Sequence, residues 1–177
     1  LIVRGNVALG GVIKRNNQEE KVYAKKVVLA PGRDGSAWLT KVLSNQGLKL
    51  YNNQVDIGVR VETSNIVMEE INKNLYEGKF VYNTSVGTKV RTFCSNPSGH
   101  VVIENHSGTM LANGHAYHDP KLGSKNTNFA LLVSHTFSEP FNEPNEFAHE
   151  ISRLANKLSN GSVIVQRYGD IKRGRRT

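Results

Sequence analysis

The stretch "KKVVLAPGRDGSAWLTKVL", residues 25–43, places an apolar run, a glycine turn and a helical pattern one after another. Residues 27–30 are all apolar and end at a proline and a glycine, which is typical of a strand buried on both faces. The apolar positions in residues 38–43 have helical spacing, and Asp34 or Ser36 can cap that helix. The sequence therefore predicts a buried strand, a turn and a helix in succession.

The turn between them has two interpretations. A strand-to-helix junction points backbone N–H groups and the positive end of a helix at one place, which favours an anion such as phosphate. Gly32 and Gly35 can equally supply positive φ angles in a plain connection. The residues of the turn leave both interpretations open.

The composition narrows the class of protein. A chain of 177 residues is long enough for one core, or for a core and a smaller subdomain. No apolar stretch approaches the ~20 residues of a membrane helix, and the first residues lack the apolar segment of a signal peptide. We therefore expect a cytoplasmic protein that does not contact a membrane. Cys94 is the one cysteine, which excludes an internal disulfide and a zinc site of several thiolates.

The net charge of +8 raises the possibility of nucleic-acid binding. The last eight residues hold four basic side chains and one acidic one, so they contribute +3 of the net charge of +8. The rest are spread out, without an RNA-binding aromatic signature or zinc-finger spacing. We expect no nucleic-acid partner, and a basic module that binds RNA or anionic ligands without redox activity is the alternative hypothesis.

Patterns on either side of the opening stretch predict an α+β fold. Residues 11–15 and 21–30 form a hairpin around a polar turn. Alternation predicts central strands at residues 55–62, 89–94, 100–104 and 129–136, and residues 162–169 supply a last strand. The sheet is therefore expected to be mostly antiparallel, with helices packed on it.

Two further helices are predicted. "SNIVMEEINKNLY", residues 64–76, opens with a Ser/Asn cap, and its apolar stripe, which includes Ile66 and Val67, is interpreted as core packing. Pro144 can start a helix whose apolar face runs from Phe147 to Leu158.

Few motifs point to a particular chemistry. The histidines lack metal-ligand spacing, so we expect no metal. Neither a serine-nucleophile elbow nor a nucleotide-binding glycine fingerprint occurs. Arg91 lies three residues before Cys94, and on a regular strand the two side chains face opposite ways. Cys94 is therefore interpreted as a buried, unreactive thiol.

Several segments together resemble one family. They are "KKVVLAPGRDGSAWL", "NNQVDIGVRVE", "RTFCSNPSGHVV", "NGHAYHD", "NTNFALLVSHTF" and "GDIKRGRRT". In this order they are similar to the middle of bacterial FAD-dependent dehydrogenases of uncharacterised function, relatives of the aminoacetone-oxidase-like flavoproteins. The resemblance implies an internal fragment: residues 1–43 as part of the FAD-binding domain, 44–165 as an inserted substrate-side domain, and 166–177 as the return toward the FAD-binding domain.

The resemblance also implies a cofactor site. Ala30, Pro31, Gly32 and Gly35 resemble the turn that flavoproteins place beside FAD, where a missing side chain lets the cofactor approach the backbone. Arg33 is the expected phosphate contact. The remainder of the same polypeptide would complete the site, so the chain alone is expected to bind no FAD and to be inactive.

A substrate pocket over the flavin follows from the same resemblance, with Arg91, Cys94, Asn96 and His115 as candidates and no catalytic residue identified. The flavin would exchange a hydride with a small molecule of unknown identity. Relatives commonly carry a second cysteine near the first, whereas this chain reads "FCSNPSGH". We therefore expect Cys94 to have no dithiol role.

Overall fold

All strand pairings in the computed structural model, which describes residues 1–177, are antiparallel, and four helices accompany the nine strands. The expected α+β class with mostly antiparallel sheets is confirmed. Contacts divide the chain into two units, Leu1–Tyr51 and Asn52–Thr177. None of the helices combines the length and apolar character needed to cross a membrane.

The first unit contains a three-stranded meander and one helix. Its elements are β1 (Ile2–Arg4), β2 (Val7–Arg15), β3 (Gln18–Tyr23) and α1 (Ser36–Ser44). Asn16 and Asn17 join β2 to β3 with φ angles of 50° and 62°, the left-handed pair that a tight two-residue hairpin turn requires. The predicted hairpin is confirmed, although its second strand ends at Tyr23.

The buried strand predicted at residues 27–30 is wrong. These residues are in no strand, their backbone makes no hydrogen bond to other backbone groups, and Val28 is 85% exposed. Pairing in this unit stops where the Ala24 N–H donates to the Leu9 carbonyl. The apolar run instead lines an open hollow of about 380 Å³ together with Trp38 and Val42. An apolar run becomes a strand only where another strand lies beside it.

The second unit is built on a four-stranded sheet in the order β4 (Val55–Ser64), β9 (Asn126–His135), β6 (Lys89–Asn96) and β5 (Val81–Asn83). The ten-residue strands β4 and β9 pair along their full length, with Val59 opposite Leu131. Strand β6 adds to the other edge of β9, where Thr92 lies opposite the same leucine. The strands predicted at residues 55–62 and 129–136 are confirmed, with β9 ending at His135, but burial does not alternate along them: Val59 is exposed and Arg60 is partly buried.

A separate hairpin follows, formed by β7 (His100–His106) and β8 (Thr109–His115). Ser107 and Gly108 make its turn with φ angles of 48° and 84°. The predicted strand at residues 100–104 therefore lies in a two-stranded sheet of its own.

Three helices complete this unit: α2 (Asn65–Asn74), α3 (Pro144–Leu158) and α4 (Tyr168–Lys172). The Ser64 hydroxyl accepts the Ile66 N–H at 3.3 Å, and Pro144 occupies the first turn of α3, so both predicted helix starts are confirmed. Two other predictions are wrong. Residues 162–169 form no strand, and Ile66 and Val67 of the supposed core stripe are exposed.

The most deeply buried side chains of this protein are polar rather than apolar. No apolar side chain is fully buried, and the only side chains with no exposed surface are Thr127 and Asn128. The accessible surface is 14119 Å², whereas two compact bodies of this combined mass would expose about 10,000 Å². The side chains that the second unit buries completely are therefore polar, and its apolar side chains are largely exposed to solvent.

The basic end of the chain is folded around a carboxylate. Asp170, whose side chain is 8% exposed, accepts hydrogen bonds from Arg175 Nε at 2.8 Å and Arg173 Nη2 at 3.1 Å. Thr177 Oγ1 donates to its other oxygen at 3.2 Å. The hydrogen bonds from Arg175, then Arg173, hold the pKa of the Asp170 carboxyl below its ordinary value.

Replacing Gly58 with alanine should destabilise the second unit. A Cβ on Gly58 would lie 1.9 Å from the Leu131 carbonyl oxygen and 2.7 Å from Leu132 Cδ2. We expect Gly58→Ala to lower the free energy of unfolding by about 2–3 kcal/mol in urea titrations. Gly11→Ala, in β2 with nothing within 4 Å of its Cβ, is the matched control and should change it by less than about 0.5 kcal/mol. Equal losses would contradict the close approach of β4 and β9.

Acid should release the end of the chain. Because the folded pKa of Asp170 is lowered, the native state binds fewer protons than the unfolded one, and its contribution to stability is present above the unfolded pKa of about 3.9. That contribution is lost as pH falls through the folded pKa. We expect the amide NMR signals of residues 170–177 to move to random-coil positions in this acid range. In Asp170→Asn they should be close to random coil at every pH, and wild-type signals that stay dispersed in acid would refute the role of the carboxylate.

Candidate functional site

A polar cluster lies where β4, β6 and β9 meet the β7–β8 hairpin. We call Arg60, Cys94, Asn96 and Asn128 the Arg60 cluster. Arg60 Nε donates to Asn128 Oδ1 at 2.9 Å, and Arg60 Nη2 donates to the Cys94 carbonyl at 3.1 Å. Arg60 is opposite Ala130 in the β4–β9 register, so Asn128, two residues away, shares its face of the sheet.

An irregularity in β6 shapes the cluster. Pairing with β9 is regular up to Phe93 opposite Ala130 and resumes at Asn96 opposite Asn128. Between them Cys94 has a φ of 52°, which is unfavourable for a residue with a side chain. Its carbonyl accepts from both Arg60 and Asn96, the latter at 2.8 Å. The alternation of side-chain directions along β6 is therefore broken at Cys94, the residue that the sequence pattern placed on the face opposite to Arg91.

The surroundings of the Cys94 thiol differ from those predicted. The residue is only partly buried, so its interpretation as a buried thiol is wrong. Its Sγ lies 4.0 Å from Arg60 Nη2 and 3.6 Å from Asn96 Nδ2, and its N–H donates to Glu77 Oε1 at 2.8 Å. A carbonyl that accepts two donors and a main-chain N–H that is bonded fix the strained backbone in place.

Two glycines let the hairpin lie directly on the cluster. A Cβ at Gly114 would lie 1.3 Å from Arg60 Nη2 and 2.3 Å from Asn128 Oδ1. One at Gly99 would lie 2.7 Å from the Asn96 Cβ and from the His115 carbonyl oxygen. Any other residue at these positions would displace the arginine or the hairpin.

The cluster contains more donors than acceptors. Arg60 has no carboxylate within ion-pair distance, and its two acceptors are neutral oxygens. Glu77 reaches the cluster, but one oxygen accepts the Cys94 N–H and the other lies 3.8 Å from Lys79 Nζ. The Asn128 amide nitrogen is buried without a hydrogen-bond partner. This arrangement has a positive charge without a counter-ion and suits an anion.

A second polar network adjoins it on the other face of β9. The Thr127 hydroxyl donates to Asn65 Oδ1 at 2.8 Å and accepts from Asn72 Nδ2 at 2.9 Å. Asn65 Nδ2 donates to Ser98 Oγ at 2.9 Å, which ties α2 to the turn before the hairpin. The network serves to position elements, because each of its named atoms is bonded within the protein.

Of the four predicted pocket residues, Cys94 and Asn96 come together in the cluster. Arg91 is directed elsewhere: its Nη2 lies 2.6 Å from Asp56 Oδ2, and its guanidinium lies 5.3 Å from the centre of the Phe93 ring. The His115 ring packs against Tyr117 with centroids 5.6 Å apart, and only its carbonyl approaches Gly99.

Arg60 and Asn128 were missed by the sequence argument. The signal was present in "VDIGVRVET", where one cationic side chain lies among apolar ones, and in "NTNFALLV", where Asn128 directly precedes the apolar run. Since the two residues are 68 positions apart, only the register of β4 with β9 brings them together.

The predicted cofactor turn, Ala30 to Gly35, lies in the first unit. Gly32 has a φ of 71° and open space around its Cβ position, whereas a Cβ on Gly35 would lie 2.4 Å from the Pro31 Cβ. Helix α1 begins after Gly35 and no side chain caps it, so the predicted capping by Asp34 or Ser36 is wrong. The Ser36 N–H instead donates to the Arg33 carbonyl at 3.1 Å. An uncapped helix start next to an unobstructed glycine fits a phosphate group.

No group of three or more histidine, cysteine or acidic side chains is arranged to hold a metal ion. Comparison with known proteins gives no family: no family model matches the chain. No curated protein matches it either.

The network around Thr127 should be important for stability. Asn65→Ala removes the acceptor of a fully buried hydroxyl and the donor to Ser98, and we expect it to lower the free energy of unfolding by about 1–3 kcal/mol. Asn74→Ala is the control on the same helix, because its side chain is exposed and bonds only to the Glu70 carbonyl. The free energy of unfolding of both variants is measured by urea titration. Equal losses would show that the hydrogen bonds of Asn65 contribute nothing to stability.

Proposed function

We propose that the chain is the substrate-side part of an FAD-dependent oxidoreductase, with residues 30–35 beside the cofactor and the Arg60 cluster in the substrate pocket. The observation that carries the proposal is the combination in residues 27–38. An apolar run without strand partners leads into a glycine turn, and the turn leads into a helix without a side-chain cap.

The apolar run supports a role for the remainder of the polypeptide. Residues 27–30 have the composition of a strand buried on both faces, yet their backbone groups pair with no other backbone and Val28 is exposed. A sheet supplied by the rest of the polypeptide would bond these groups and cover the side chains. The turn that follows would then stand at the end of a strand in that sheet, the usual position of a dinucleotide site.

The turn supports an anionic cofactor. Gly32 leaves the backbone open to close approach, Gly35 allows the tight packing on Pro31, and the N-terminus of α1 offers N–H groups without a competing side chain. Bound FAD would supply the redox chemistry, accepting or donating a hydride. The residues of this chain would hold the cofactor's phosphates and orient the substrate.

The test uses a longer protein that includes the flanking sequence, and it compares two glycines with similar backbone strain, Gly32 and Gly47. Gly32 and Gly47 have φ angles of 71° and 74°, and neither Cβ position has an atom within 4 Å. Alanine at either position therefore costs a similar ~1–2 kcal/mol of backbone strain. We expect the longer protein to purify with FAD, Gly32→Ala to weaken FAD binding at least tenfold, and Gly47→Ala to leave it unchanged.

Other outcomes favour the alternative. A longer protein without flavin, together with salt-sensitive binding of generic RNA, would indicate a basic RNA-binding module. Stoichiometric FAD on residues 1–177 alone would contradict the proposed sharing of the site with the rest of the polypeptide.

A further inference from the structure

We propose that Arg60 binds the carboxylate of a small-molecule ligand. If that ligand is the substrate of the proposed flavoprotein, the substrate is a small carboxylic acid, and this extension rests on the proposed function. The binding of a carboxylate at Arg60 itself is argued from the cluster alone.

Arg60 lacks a counter-ion. Four of the six other arginines of the second unit are paired with acids: Arg91 with Asp56, Arg153 with Glu150, and Arg173 and Arg175 with Asp170. The other two, Arg167 and Arg176, are exposed to solvent. Arg60 is partly buried between the sheet and the hairpin, and its hydrogen bonds go to an amide and a main-chain carbonyl. A partly buried guanidinium without a carboxylate is costly unless an anion joins it.

Some donors of Arg60 are unused. A guanidinium has five N–H groups, and Arg60 uses Nε for Asn128 and Nη2 for the carbonyl and, at 4.0 Å, the Sγ of Cys94. Nη1 has no acceptor, so it is the part of the guanidinium left to donate to a carboxylate oxygen. The hydrogen bonds to Asn128 and Cys94 hold the guanidinium in one orientation.

The amide of Asn128 is fully buried and is bonded to Arg60 through its oxygen. Arg60 requires the oxygen on its side, so the amide nitrogen must point away, and there it finds no acceptor. An aspartate would accept the same bond without leaving an unpaired donor. The neutral amide of Asn128 leaves the positive charge of Arg60 without a counter-ion. An arginine with a purely structural role does not require this.

Charge selects the ligand class. The cluster supplies one positive charge and no lysine, so it neutralises a singly charged carboxylate and leaves a doubly charged phosphate half compensated. The hairpin at Gly114 lies directly on the guanidinium, which favours a small group.

The experiment reads Arg60 directly in the unmodified chain. The Nε–Hε resonance of Arg60 is followed by ¹⁵N NMR during titration with acetate at constant ionic strength. We expect a saturable shift with a millimolar midpoint, whereas Arg153, which is exposed and paired with Glu150, should show none. The absence of a saturable shift at Arg60, or tighter binding of inorganic phosphate than of acetate, would overturn the proposal.

Two variants sharpen the result. Asn128→Asp places a counter-ion on Arg60 and should weaken acetate binding at least tenfold while the protein stays folded. Asn74→Asp adds the same charge on the exposed face of α2 and should have no effect. Unchanged binding in folded Asn128→Asp would refute the role of Arg60. The titration needs no flavin, so the two proposals can fail separately. Acetate binding at Arg60 in a protein that never holds FAD would contradict only the proposed function. FAD binding in a protein whose Arg60 does not respond to acetate would contradict only this inference.

Discussion

The second unit depends on satisfying two polar side chains that are buried at the start of β9. Thr127 and Asn128 have no exposed surface, and an unbonded buried polar group costs about 1–3 kcal/mol. Adjacent residues in a strand point to opposite faces, so Thr127 requires partners on one side of the sheet and Asn128 on the other. Asn65 and Asn72 of α2 bond the Thr127 hydroxyl, and Arg60 and Asn96 donate to the Asn128 oxygen, although the Asn128 nitrogen stays unbonded. One dipeptide thus fixes the position of α2 and the register of three strands.

Local signals in the sequence predicted most of the elements. The strands β4 and β9, the Ser64 cap and the start of α3 at Pro144 depend on neighbouring residues, and all are confirmed. The prediction at residues 27–30 is wrong because an apolar run specifies a strand only through a partner, and this unit offers none. The Arg60 cluster could not be read from the sequence because it depends on a register and on an irregularity in β6.

The exposed apolar surface connects the fold with the proposed function. Val59 lies in the middle of β4 and is 63% exposed, and Val28 and Ile66 are more exposed still. The surface in excess of two compact bodies is roughly 4,000 Å², several times the ~800 Å² that one partner contributes to a standard interface. A few isolated apolar residues on a surface need no explanation, but an excess of this size accompanied by the absence of any buried apolar side chain does. Under the proposed function, the rest of the polypeptide would cover this surface without requiring a change in either unit.

Strain and unsatisfied polarity coincide at one place in this molecule. Cys94 holds a left-handed φ in the middle of a strand, and that conformation presents its carbonyl to Arg60 and Asn96. A few residues away along the sheet, the only buried side-chain nitrogen without a partner belongs to Asn128. Regular pairing of β6 with a hydrophobic residue at position 128 would be the more stable solution, since it would remove both costs. Their retention side by side is understandable if the cluster is shaped by a ligand, because the neutral amide of Asn128 holds Arg60 in place while leaving its positive charge uncompensated for a bound anion.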